Sequence, residues 1–154
     1  MKEKNILPFS DHEFNIVFCN SVIEHVTIPK EEIWSFKSTK DFKNLSLKRQ
    51  VEFANEIRRI GKSYFVQTPN KYFIIESHTW LPGLIVFLPR SIQIKTIKFF
   101  NKFWVKTTTH DWNLLTFKDM KKLFPDAVIY KEKSFGLTKS LIAIKTKNKN
   151  NDNQ

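Results

Sequence analysis

The strongest constraint on the fold is a strand, a helix and a second strand in close succession. Residues 14–19 read FNIVFC, a short and nearly continuous apolar run of the kind that fills a sheet interior with both faces covered. It is expected to be a central strand rather than an edge. Farther on, SLKRQVEFANEIRRIG places Leu47, Val51, Ala54 and Ile57 at helical spacing, with Ser46 as N-cap and Gly61 just past the end. Residues 63–68, SYFVQT, then form a strand that Pro69 and Asn70 break. Strand, helix and strand in that order require a crossover between parallel strands, and such crossovers are right-handed.

The remaining segments fit around this unit. Residues 20–26, NSVIEHV, crowd polar groups at the carboxyl end of the first strand and mark a candidate site. An insertion at about 72–110 carries Trp80, Phe87, Phe99, Phe100, Phe103 and Trp104, with Pro82 and Pro89. It holds Arg90, Lys95, Lys98, Lys102 and Lys106, and no acidic residue stands between Glu76 and Asp111. One or two short helices beside the active-site end of the sheet are expected there. Thr116 caps a helix FKDMKKLF, Asp119 completes a capping box and Pro125 ends it. Strands at 127–131 and 140–145 follow, joined through Phe135 and Gly136, and so short a join favours antiparallel pairing. The domain spans 1–147, and 148–154 form a disordered tail, because nothing from Lys145 onward is apolar.

With 154 residues, 41% of them hydrophobic, the chain can build one compact domain. Its 26 basic and 15 acidic residues leave a net charge of +11, which favours anionic partners. The basic aromatic segment fits peripheral contact with a membrane surface better than it fits nucleic acid. Cys19 is the single cysteine, which excludes an internal disulfide and fits a reducing, cytoplasmic setting. No His, Cys, Asp or Glu grouping has zinc-ligand spacing, so no metal is expected. Neither a signal peptide nor a membrane-spanning run is visible.

Several segments carry a family likeness. LPFSDHEFNIVFCNSVIEHV resembles the stretch through the fourth strand of class I S-adenosylmethionine-dependent methyltransferases, of the type 11-like kind. YFVQTPNKYFIIESH resembles the fifth strand and its following loop, and LLTFKDMKKLFPDA and SFGLTKSLIAI resemble the last helix and final two strands. The resemblance runs from Ile6 to Ile144, departing where the family often has proline at the positions of Ile74 and Ser77. It implies an α/β fold: a partial Rossmann-like class I methyltransferase domain, its mixed sheet retaining the last four strands with flanking helices. It also implies methyl transfer from S-adenosylmethionine to a small-molecule, sugar or lipid-linked acceptor. By the resemblance Leu7 lies near the adenine of the cofactor, and Asn20, Ser21 and Val22 near its methionine part.

The family's glycine-rich turn is missing, since Gly61, Gly83 and Gly136 are the only glycines and none forms a GxG pattern. The chain is therefore expected to be the C-terminal half of such a domain, with doubtful cofactor binding and activity on its own. Its expected partners are a complementing N-terminal half or a second chain paired along an open strand edge; a non-catalytic interaction or membrane-surface remnant is the alternative. His25 is the candidate base, because its ordinary pKa lies near neutrality; packing on the neighbouring helix is its plainer role. Glu24, Asn70, Glu76 and His78 are candidate substrate contacts at the same end of the sheet.

Overall fold

A computed structural model describes residues 6–73, 87–103 and 109–146. Expectations on Glu76, His78, Trp80, Trp104, Lys106 and the tail 148–154 lie outside the described residues. The elements run β1 (Phe14–Asn20), α1 (Thr39–Ile60), β2 (Gly61–Pro69), α2 (Arg90–Phe100), α3 (Phe117–Leu123), β3 (Val128–Ser134) and β4 (Leu137–Lys145). Two 3₁₀ turns, Ile23–His25 and Lys30–Glu32, lie between β1 and α1.

The four strands form one mixed sheet in the order β1-β2-β4-β3. β1 runs parallel to β2, with Val17 opposite Tyr64 and Cys19 opposite Val66. β4 enters antiparallel on the other side of β2, placing Ala143 opposite Val66, and β3 pairs antiparallel with β4 outside it. The β3–β4 turn has positive φ at both Phe135 (50°) and Gly136 (77°), the backbone of a type I′ hairpin whose twist matches that of its strands. The fold is thus α/β, compatible with part of a Rossmann-like sheet.

One face of the sheet holds the main core. Cys19, Tyr64, Val66, Leu141 and Ala143 meet Ala54 and Ile57 of α1 and Met120, Leu123 and Phe124 at α3. Each fully buried large apolar side chain contributes about 1.5–3 kcal/mol. Thr116 and Asp119 make the expected capping box of α3.

Two expectations are corrected. β1 is an edge strand among the described residues, not a central one. Its alternation sends Val17 and Cys19 into the core, while Ile16 and Phe18 on the opposite face are 68% and 69% exposed. Phe18 stacks on Phe65 of β2 with ring centroids 5.0 Å apart. The helix begins at Thr39, not near Ser46: Ser38 is the cap, its side chain accepting from the Asp41 N–H at 3.3 Å. The buried face of α1 runs through Phe42, Ser46, Gln50, Ala54, Ile57 and Ile60, while Val51 is exposed. Polar residues at two of those inward positions concealed the stripe.

Candidate functional site

The chain turns sharply where β1 ends. Ser21 adopts φ 52°, a left-handed conformation that L-residues hold only when their surroundings impose it. Its N–H donates to the Gln67 carbonyl at 3.0 Å, extending the β1–β2 ladder by one bond. Asn20 and Val22 are exposed on either side of it. These residues form a rim at the carboxyl end of β1, the end at which open α/β sheets bind ligands.

Past the rim, residues 23–27 are joined to 110–114 from the far end of the sequence. The Asn113 N–H donates to the Glu24 carbonyl at 2.8 Å, and Thr27 Oγ1 donates to the Asp111 carbonyl at 3.0 Å. Gln50, fully buried on α1, donates from Nε2 to the Ile23 carbonyl (2.9 Å) and the Asn113 carbonyl (3.0 Å). Its Oε1 accepts from Asn113 Nδ2 at 2.9 Å. One glutamine thus fastens both loops to the helix, which explains a polar side chain on the inward face.

The join brings together His25 and Asp111, with Nδ1 3.2 Å from Oδ1. The imidazole is partly exposed, and its hydrogen bond to Asp111 raises its pKa above the usual 6.5 against the opposing effect of burial. A carboxylate on Nδ1 selects the tautomer that puts the lone pair on Nε2, the arrangement of a general base. Asp111 was not singled out in the sequence, although it is the first carboxylate after the acid-free run beyond Glu76.

The other candidate residues are dispersed. Glu24 is fully buried and accepts from Thr68 Oγ1 at 2.9 Å, so it braces the ends of β1 and β2 from within. Its charge and, above all, burial push the Cys19 thiol up to about 11. Leu7 lines a cavity of about 150 Å³ with Val26 and the α1 residues Arg49, Glu52, Phe53 and Glu56. The Leu7 N–H donates to Glu56 (2.8 Å), and Arg59 Nη2 bonds both the Leu7 carbonyl and Glu56. Asn70 faces the β3–β4 hairpin, donating to the Thr138 carbonyl at 2.9 Å.

No family model matches the chain, and no curated protein or solved structure does. Among the described residues no group of His, Cys, Asp and Glu can hold a metal ion, and no described helix is long and apolar enough to cross a membrane. Gly61 sits at the amino end of β2, opposite Phe14, where an added Cβ would lie 2.9 Å from the Val17 side chain. Gly136 sits at the hairpin tip.

Proposed function

We propose that the chain supplies one side of a class I S-adenosylmethionine-dependent methyltransferase site, the cofactor cradle coming from a strand and glycine-rich turn that these residues lack. The observation that carries this reading is the open edge of β1. In doubly wound sheets of order 3-2-1-4-5-6 the fourth strand lies beside the first, and the first bears the glycine-rich turn. If β1 is that fourth strand, as the resemblance has it, a glycine-bearing strand paired along Phe14–Asn20 brings its turn beside the Asn20–Ser21 rim. His25, held by Asp111, is then the group that takes a proton from a small-molecule, sugar or lipid-linked acceptor.

The test is calorimetric titration with S-adenosylmethionine of the folded chain alone and mixed with a polypeptide carrying a class I first half. The expected result is no saturation alone and one-to-one micromolar binding in the mixture. Tight binding by the chain alone overturns the division between halves. Absence of binding in a mixture that co-elutes overturns the methyltransferase reading.

A second observation favours peripheral contact with an anionic membrane. Ile92, Phe99 and Phe103 are exposed at helical spacing along α2 and its C-terminal turn, Leu88 is exposed just ahead of the helix, and the exposed Lys95, Lys98 and Lys102 lie alongside. An apolar stripe flanked by lysines suits the headgroup boundary of an anionic bilayer. Co-sedimentation with anionic but not neutral vesicles, weakened by Phe99→Ser with Phe103→Ser, is expected; no sedimentation with either excludes it.

A further inference from the structure

A cleft opens where the first turns of α1 and α2 meet the end of β2, and none of the candidate site residues lines it. We propose that this cleft binds a phosphate group, either free or as the head of a larger molecule. The inference goes beyond the methyltransferase reading and does not rest on it.

Positive charge on the cleft wall has no counter-charge among the described lining residues. Thr39, Lys43, Lys71, Arg90, His110 and Asn113 are among its lining residues, and no described lining residue is acidic. Arg90 is 1% exposed, yet among the described residues its guanidinium is bonded to neutral acceptors. Nε donates to the Phe36 carbonyl at 2.7 Å, and Nη2 to the Ile33 and His110 carbonyls at 3.0 and 3.2 Å. Nη1 donates to His110 Nδ1, and the group lies 3.4 Å over the Phe42 ring. No carboxylate pairs with it among the described residues. A buried cation without an anion is costly, and burial indeed pulls this guanidinium down to about 10.

Two lysines add to the field. The Lys71 N–H donates to the Leu115 carbonyl at 3.1 Å, which fixes that residue at the cleft mouth. Burial and, secondarily, the charge of Lys43 lower the Lys71 pKa, with Asp119 of α3 acting weakly the other way. His110 is the neutral partner: burial and then Arg90 drive it down to about 3, so it accepts from Arg90 and donates from Nε2 to Gln93 Oε1. Asp111 acts on His110 from behind, where it holds His25.

The backbone contributes in the same direction. α1 and α2 both begin at the cleft, and Thr39 Oγ1 accepts from the Arg90 N–H at 3.0 Å, leaving its own proton to donate. α2 has neither a side-chain cap nor an acidic residue in its first turn. The uncapped start of α2 therefore reinforces the side-chain cations, whereas the start of α1 is capped by Ser38 and carries Asp41 in its first turn. The cleft offers about 80 Å³, room for roughly five waters, which suits one tetrahedral oxyanion of two negative charges and is too small for a nucleotide base.

The experiment titrates the full chain with inorganic phosphate and with glycerol 3-phosphate at constant ionic strength, sodium chloride serving as control, followed by calorimetry and amide NMR. One-to-one saturation with shifts at Thr39, Lys43 and Lys71 is expected. Lys43→Gln with Lys71→Gln removes two charge-assisted contacts and is expected to weaken binding about tenfold or more. The off-cleft pair Lys48→Gln with Lys122→Gln changes the net charge equally and is expected to leave the affinity within about twofold. Because Lys43 is exposed, Lys43→Glu leaves folding intact and should also weaken binding. Sedimentation with phosphatidic acid vesicles separates the sources: loss of it in the Lys43/Lys71 variant assigns a lipid headgroup, whereas phosphate saturation without vesicle binding assigns a soluble phosphate. Absence of saturation, or equal losses in both lysine pairs, overturns the proposal.

Discussion

His25 and Asp111 stand 86 residues apart in the chain and meet with Nδ1 and Oδ1 separated by 3.2 Å. The contact exists because Gln50, Thr27 and Asn113 bind the two loops to one another.

The first prediction concerns the charge of His25. Its pKa is raised, chiefly by the Asp111 hydrogen bond. The contribution of the pair to stability is therefore complete below the ordinary imidazole value and is lost as pH rises through the folded value. Asp111→Asn is expected to bring the imidazole titration down, because burial then acts unopposed by that hydrogen bond. Proton NMR of the His25 ring checks this, and an unchanged midpoint would falsify the pairing.

Gln50 supplies a second. Gln50→Leu keeps the volume and removes every hydrogen bond of the staple, depriving the Asn113 carbonyl of its Gln50 donor and leaving the Ile23 carbonyl with the Val26 N–H. Urea denaturation is expected to show a loss of about 2–4 kcal/mol. Faster amide exchange at Asn113 should accompany it.

Around Asp126 the sign is opposite to that of His25. Burial raises its pKa, but hydrogen bonds from Tyr64 (2.7 Å) and Lys145 (3.1 Å) and the charge of Arg58 outweigh this and lower it from 3.8. Its stabilising contribution is present above the ordinary value and lost as pH falls through the folded one, below about pH 4. Tyr64→Phe is expected to cost about 1 kcal/mol at neutral pH. Acid unfolding of Asp126→Asn should lack this group's share of the midpoint.

The β1 edge yields the last. Phe18 is 69% exposed but stacks on Phe65, so Phe18→Lys is expected to cost about 0.5–1.5 kcal/mol of stability. It should abolish any association along the strand, since a charge there blocks edge pairing. Light scattering coupled to size exclusion compares it with the unaltered chain; association that persists at equal strength places the contact elsewhere.

Local sequence rules carried much of this architecture. The capping box at Thr116 and Asp119, the parallel crossover and the terminal hairpin all follow from short-range chemistry, and the structure contains each. The true start of α1 was hidden because Ser46 and Gln50 interrupt its apolar stripe. β1 read as a central strand because an apolar run does not say which face is covered. Arg90 looked like one cation among several on a basic surface, but it is buried. The His25–Asp111 pair and the cleft at Lys43 and Lys71 depend on contacts between distant segments, and nothing in local spacing signals them.

The position of β4 has a kinetic consequence. The last described strand is interior in the sheet, between β2 and β3. During synthesis, at roughly 5–20 residues per second, β2 thus waits with one side unpaired until residues 137–145 have been made and inserted. Non-local pairing of this kind slows folding and prolongs exposure of apolar strand faces. The nascent chain should accordingly depend on chaperones until its last strand arrives, and loss of a few residues from β4 should trap it in a partly folded state.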